Sequence, residues 1–218
     1  MPHASEGNKV ITMLTANDIY ELNTAASILA GGLALGHRET GSVPPEVGQA
    51  LTEARRQMEG LPEVIENLNL SFERFNTVSS ALWRMMELAD LAARPDIENL
   101  SRTELNSEFT SLAAIVAADA GRQYYGGPRL NLLNQGEAQS AVRIIGYLAP
   151  VLNNTAQELS EQKNLIYEVI SETINFLGVI SQCYSDVEGI NDFGRIVNEA
   201  RKHIENMTAI SNQAPTLH

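Results

Sequence analysis

The stretch VGQALTEARRQMEGLPEVIENLNLSFERF, residues 47–75, decides the fold class. Its apolar positions Val47, Leu51, Ala54, Met58, Leu61, Ile65, Leu68, Phe72 and Phe75 recur at alternating steps of four and three without a miss. A mean repeat of about 3.5 residues keeps one stripe on one side of an α-helix, which is the pattern of a coiled-coil seam. Beyond Phe75 the phase slips, and the stripe goes on through Val78, Leu82, Met85 and Leu88 until Arg94-Pro95 stops it. Gly60 and Pro62 lie midway and predict a kink.

A second seam of the same kind runs from Ala138 through Ala141, Ile145, Leu148, Leu152, Leu159, Ile166, Val169, Phe176, Ile180 and Cys183 to Val187, interrupted only by Thr155, Gln162 and Thr173. Gly146 and Pro150 predict a bend early in it. Two long stripes can bury each other only by pairing, so the expected fold is all-α, a long antiparallel coiled-coil-like helical rod. Between the seams, Ser101 and Glu104 read as a capping box for a shorter helix with Gly121 as its C-terminal cap. Residues 122–136, with two adjacent glycines, Pro128 and alternating Leu130 and Leu132, fit a loop carrying at most one short β-hairpin.

The chain ends carry shorter stripes. Ile19, Leu22, Ala26, Leu29 and Leu33 line one helix face, with Thr15 and Asp18 as a loose capping pair and Gly31, Gly32 and Gly36 loosening its end. His37 to Pro45 then reads as a loop. After the Gly189–Asp192 cluster, Phe193, Ile196, Val197, Ala200, Ile204 and Met207 make a final stripe. The chain thus divides into an amino-terminal helix and loop over 1–44, a rod core over 45–193, and a carboxy-terminal helix over 194–218 pairing with 1–44. Each end stripe is short, so these ends are expected to be poorly ordered until a partner covers them.

Composition bounds the function. Fifteen Lys and Arg against 27 Asp and Glu leave 218 residues with a net charge of −12, so nucleic acid and acidic membranes are poor partners. The polar start MPHASEGNK is not a secretory signal, and no apolar run is long enough to span a bilayer. One cysteine, Cys183, excludes an internal disulfide and sits on the second seam, where a buried Cys behaves as a small hydrophobe.

No chemistry is legible. His3, His37, His203 and His218 fall at termini, in a loop and on a polar face, without metal-ligand spacing. Glu158 and Glu161, or Glu168 and Glu172, stand one turn apart but lack a Glu-x-x-His companion, so they read as a solvated face. Gly31-Gly32 and Gly126-Gly127 follow no strand and precede no Lys-Ser/Thr, so they are turn glycines rather than phosphate loops. No catalytic, cofactor or metal site is expected. Trp83, off the main stripe beside Met85 and Met86, is core flank or a partner surface.

The residues Leu82-Trp83-Arg84-Met85-Met86-Glu87-Leu88-Ala89 resemble the Leu-Gln-Arg-x-Arg-Glu-Leu-Ala that ends a long helix in bacterial flagellins. Gly121 to Gly126 followed by Leu130 to Leu133 is similar to that family's Gly-x-Thr-x-Phe-Asn-Gly and Lys-Leu-Leu stretch. Thr173 to Leu177 resembles Thr-Ile-Asn-Asn-Leu, Ser185 to Phe193 resembles Ser-Arg-Ile-x-Asp-x-Asp-Phe, and Asn212 to Pro215 matches Asn-Gln-Ala-Pro. The motifs keep the family's order over nearly the whole chain, whereas little separates Leu133 from Ala138, so variable outer domains are absent. Met86 replaces a common Arg, and the loop His37 to Pro45 diverges.

This resemblance implies a structural subunit of the flagellar filament that self-assembles into a helical tube. It would be extracellular and exported without a cleaved signal peptide, with the export apparatus, an export chaperone and neighbouring axial proteins as partners. A hook–filament junction protein, or a non-flagellar helical-bundle scaffold or sensor, are the alternative readings. Subunit or partner contacts are then expected at Ile19, Leu22, Leu29, Leu33, Leu82, Arg84, Glu87, Leu88, Phe193, Ile196, Ile204 and Met207.

Overall fold

The computed structural model describes residues 14–38, 44–120, 130–183 and 191–212. Among them the chain is all-α, with six helices and no strand: α1 (Ala16–Arg38), α2 (Pro45–Ala92), α3 (Asn99–Ala120), α4 (Gln135–Gly146), α5 (Ala149–Cys183) and α6 (Asn191–Asn212). Leu130 to Asn134 form no strand, Gln135 and Gly136 of the expected loop already belong to α4, and its residues 122–129, like Gly121, lie outside the described residues.

The stripe in residues 47–75 becomes the inner face of α2, a single helix of 48 residues. Leu51, Met58, Leu61, Ile65, Leu68, Phe72 and Phe75 are all buried. Pro62 stands inside this helix without ending it. An interior proline costs about 3 kcal/mol, and burial of Leu61 and Ile65 on either side is of the size needed to offset that.

Two helix starts depend on side chains that satisfy the first-turn N–H groups. The Asp18 N–H donates to Thr15 Oγ1 at 3.1 Å, and Asp18 Oδ2 accepts from the Thr15 N–H at 2.7 Å and from its hydroxyl at 2.8 Å. The Thr15–Asp18 pair is thus a closed capping box. Asn134 caps α4, its Oδ1 accepting the Glu137 N–H at 3.0 Å.

Four expectations need correction. The glycines near its end do not stop α1, which runs to Arg38, so His37 and Arg38 are helical. The Ser101–Glu104 box does not start α3, which begins two residues earlier at Asn99. The second seam is two helices, since Tyr147 and Leu148 separate α4 from α5 and Pro150 falls in the first turn of α5, where its missing N–H costs nothing. Along α5 the buried set is Ala156, Leu159, Ile166, Ile170, Thr173, Ile174, Leu177 and Ile180, while Gln162 and Cys183 are exposed. A straight helix of 3.6 residues per turn drifts about 20° per heptad from a strict seven-residue repeat, which carries the far end of the expected stripe out of the core.

The chain divides into two compact units, one of Met1–Asn69 with Ser160–His218 and the other of Leu70–Leu159. The expected 45–193 core is therefore shared between them, and α1 and α6 join parts of α2 and α5 in the first unit.

In the second unit, Leu82, Met85, Leu88, Ala89 and Ala92 of α2 meet Phe109 of α3, Leu132, and Ala138, Ala141 and Ile145 of α4 in one buried cluster. Polar side chains of α3 and α4 fasten the end of α2. Arg102, only 6% exposed, donates from Nε to the Ala92 carbonyl at 2.9 Å, from Nη2 to the Arg94 carbonyl at 2.9 Å and from Nη1 to Asn99 Oδ1 at 3.1 Å. Gln135 Nε2 donates to the Ala93 carbonyl at 3.1 Å, and the Leu132 N–H donates to Asn106 Oδ1 at 2.7 Å. Of the carbonyls at the end of α2, that of Ala92 is satisfied by Arg102, whereas those of Ala89 and Leu91 accept the N–H groups of Ala93 and Arg94.

Candidate functional site

Two surfaces collect the residues expected at contacts. On α2, Leu82, Met85, Leu88 and Ala89 face inward, so Trp83, Arg84 and Glu87 face out. Arg84 Nε and Nη2 donate to Glu108 Oε1 and Oε2 of α3 at 2.7 and 3.2 Å, and Nη1 donates to Glu87 Oε2 at 3.0 Å. The hydrogen bonds from Arg84, followed by its charge, hold the Glu108 carboxyl below the usual carboxylate range. The same partners, Glu108 before Glu87, push the Arg84 guanidinium further up. Arg84 and Glu108 are about half exposed and Glu87 about two-thirds, so this is a surface cluster.

Leu82 at 6% and Leu88 at 2% exposure are core residues of this chain. As partner contacts they are corrected, because they share the inner stripe with Met85 and Ala92. Next to the cluster, Trp83 is 54% exposed and lines a shallow depression with Met86, Ile145 and Ala149. A larger apolar groove of about 320 Å³ opens between α2, α3 and the start of α5, floored by Phe75, Val78, Leu82, Val116, Leu148 and Leu152.

The second surface is the pairing of α1 with α6. Glu21 meets His203 and Gly32 meets Ile196, so the two helices run antiparallel. Leu22, Ala25, Ala26, Leu29 and Leu33 are fully buried, Ile19 is 9% exposed, and Ile196, Val197 and Ala200 are buried on α6. Ile204 is half-buried. Phe193 and Met207 belong to α6, and their side chains lie outside the described residues. A Cβ added at Gly32 would stand 2.6 Å from Ile196 Cδ1, so glycine here sets how closely the helices approach. Within one chain each end stripe covers the other.

Sequence reading missed the clamp of Arg102 and Gln135 on the end of α2 and the bond from the Leu132 N–H to Asn106. It also took His203 for a solvated side chain. The imidazole Nδ1 contacts Glu21 Oε2, with the two side chains 27% and 14% exposed. Along α5, Tyr167 is raised to about 12 by burial and then by the nearby Asp18 charge, and Lys163 stands 5.9 Å over its ring.

Among the described residues, no group of three or more His, Cys, Asp or Glu could hold a metal, and no helix is long and apolar enough to cross a membrane. Glu158, Glu161, Glu168 and Glu172 are exposed. No family model, curated protein or solved structure matches the chain.

Proposed function

We propose that this chain is a flagellin-like structural subunit that assembles with copies of itself into a helical tube serving motility, outside the cell. The observation that carries the reading is the antiparallel pairing of α1 with α6, which brings the two chain ends together. The ordered motifs from Leu82 to Pro215 resemble those of the family in which both chain ends build the inner wall of such a tube. Apolar side chains left exposed on α2 and α3, Trp83 and Ile115 among them, supply apolar area for contacts between copies. Heterologous contacts of that kind generate open helical assemblies. Export would be through the flagellar channel without a cleaved leader, with the export apparatus and a chaperone as transient partners.

At −12 per copy, association works against self-repulsion, so salt that screens charge and strengthens apolar burial should drive it. Electron microscopy of the purified protein after addition of ammonium sulfate tests this. Long tubes are expected. Short rings would move the assignment to a hook–filament junction protein, and monomers at every salt concentration would overturn self-assembly.

A further inference from the structure

We propose that the apolar groove between α2, α3 and the start of α5 is a binding site for a single-chain carboxylate, an anionic amphiphile with one alkyl tail. Its whole lining falls within the second unit, and the inference concerns the isolated chain, independent of the filament reading.

Width decides the class of occupant. On α2 the lining residues Ser71, Arg74, Phe75, Val78 and Leu82 follow one helix face. At 1.5 Å per residue that face is about 16 Å long. The groove holds about 320 Å³, so its mean cross-section is about 20 Å², whereas a helix with its side chains is about 10–12 Å across. One extended alkyl chain fits that girth, and a partner helix does not. The volume also stands at the lower end of the roughly 300–1,000 Å³ typical of small-ligand pockets. Val78, Val116 and Leu152 are only half-buried, so a tail lying on them removes apolar surface from water.

Polarity decides the orientation. A Cβ added at Gly146 would stand 3.7 Å from Met86 Cε. From that point the lining passes forward along the chain through Leu148 and Leu152 to Thr155, and backward along α2 through Leu82 and Val78 to Arg74 and Ser71. The polar residues Ser71, Arg74 and Thr155 therefore gather at one end of the groove, and Leu82 and Leu148 stand at the other. Among the described residues that line it, Arg74 alone carries a charge. Its guanidinium has five N–H donors in a fixed fork, so it can take a ligand carboxylate alongside contacts within its own chain. Thr155 commits its hydroxyl proton to the Val151 carbonyl at 3.0 Å, which leaves recognition of the head to Arg74. Glu73 and Glu158 are exposed and outside the lining.

The test is calorimetric titration of the full chain at low salt with decanoate and, separately, with decyltrimethylammonium, which has the same tail and the opposite charge. Decanoate is expected to bind about tenfold more tightly, and Arg74→Gln to remove that preference. Val78→Phe fills the groove and is expected to abolish binding of both. Absence of decanoate binding, equal affinity for the two probes, or decanoate binding unchanged in Val78→Phe would each overturn the proposal. Should Val78→Phe fail to fold, methyl spectra of the native chain decide. Decanoate is expected to shift Val78, Val116, Val151 and Leu152, and shifts confined to other methyl groups would overturn the site.

Discussion

The two units are held by different means. Around α1 and α6 the joint is apolar and close, built from Leu22, Ala25, Ala26, Leu29 and Leu33 against Ile196, Val197 and Ala200, with one cross-helix contact between ionisable side chains at Glu21 and His203. In the second unit the joint is stitched by polar side chains reaching backbone atoms, Arg102 and Gln135 at the end of α2 and Asn106 at Leu132. A small-residue face lets two helices approach and slide until something fixes their register, whereas a side chain bonded to a particular carbonyl fixes position outright. The difference teaches that one unit owes its specificity to shape and the other to directional bonds.

Removing a directional bond should give the largest effect. Arg102→Met keeps the apolar stem but abandons the carbonyl of buried Ala92 and that of exposed Arg94. A loss of about 1.5–3 kcal/mol in urea unfolding is expected, and an unchanged midpoint would mean water replaces the guanidinium freely.

Filling the close approach should do less. Gly32→Ala places a methyl 2.6 Å from Ile196 Cδ1 and 2.9 Å from its Cγ2, an overpacking cost of about 1–3 kcal/mol offset by about 1 kcal/mol of helix propensity. Combining it with Ile196→Ala relieves the clash, so the pair should lose less than the sum of its parts. Strict additivity would show that the α1–α6 spacing is not set at Gly32.

The smallest effect belongs to the surface. Glu108 is ionised to lower pH beside Arg84 than in the unfolded chain, so its contribution is present above the ordinary carboxylate value and lost as pH falls through the folded one. Arg84→Gln should therefore leave melting nearly unchanged at neutral pH and high salt, and flatten the acid side of the stability curve. A large loss at neutral pH would show that the α2–α3 pair does more than a solvated ion pair can.

Much of this was legible. Steps of four and three marked the inner face of α2 because burial follows helical periodicity, and Thr15 three places before Asp18 marked the start of α1. The break at Tyr147 was legible only as a bend at Gly146 and Pro150, since Ile145 and Leu148 keep the apolar rhythm across it. The clamp was not legible: Arg102, Gln135 and Asn106 bond to groups 8 to 42 positions away, and nothing local distinguishes them from solvated polar residues. At the candidate surfaces, the sequence placed the stripes of α1 and α6 on helices and expected the two ends to pair; their antiparallel register, with Gly32 against Ile196, depends on tertiary packing.

The separations spanned by these contacts also order events in time. Arg102 reaches back 10 residues and Gln135 reaches 42, whereas His203 must find Glu21 across 182. Closing the longer loop costs roughly 1.3 kcal/mol more than closing the 42-residue one, before any burial is gained. The α2–α4 joint can form as soon as its own stretch of chain is free, while α1 lacks its partner α6 until the chain from Asn191 onward arrives. A chain delivered from one end would thus carry a folded middle and an uncovered leading helix for most of its passage.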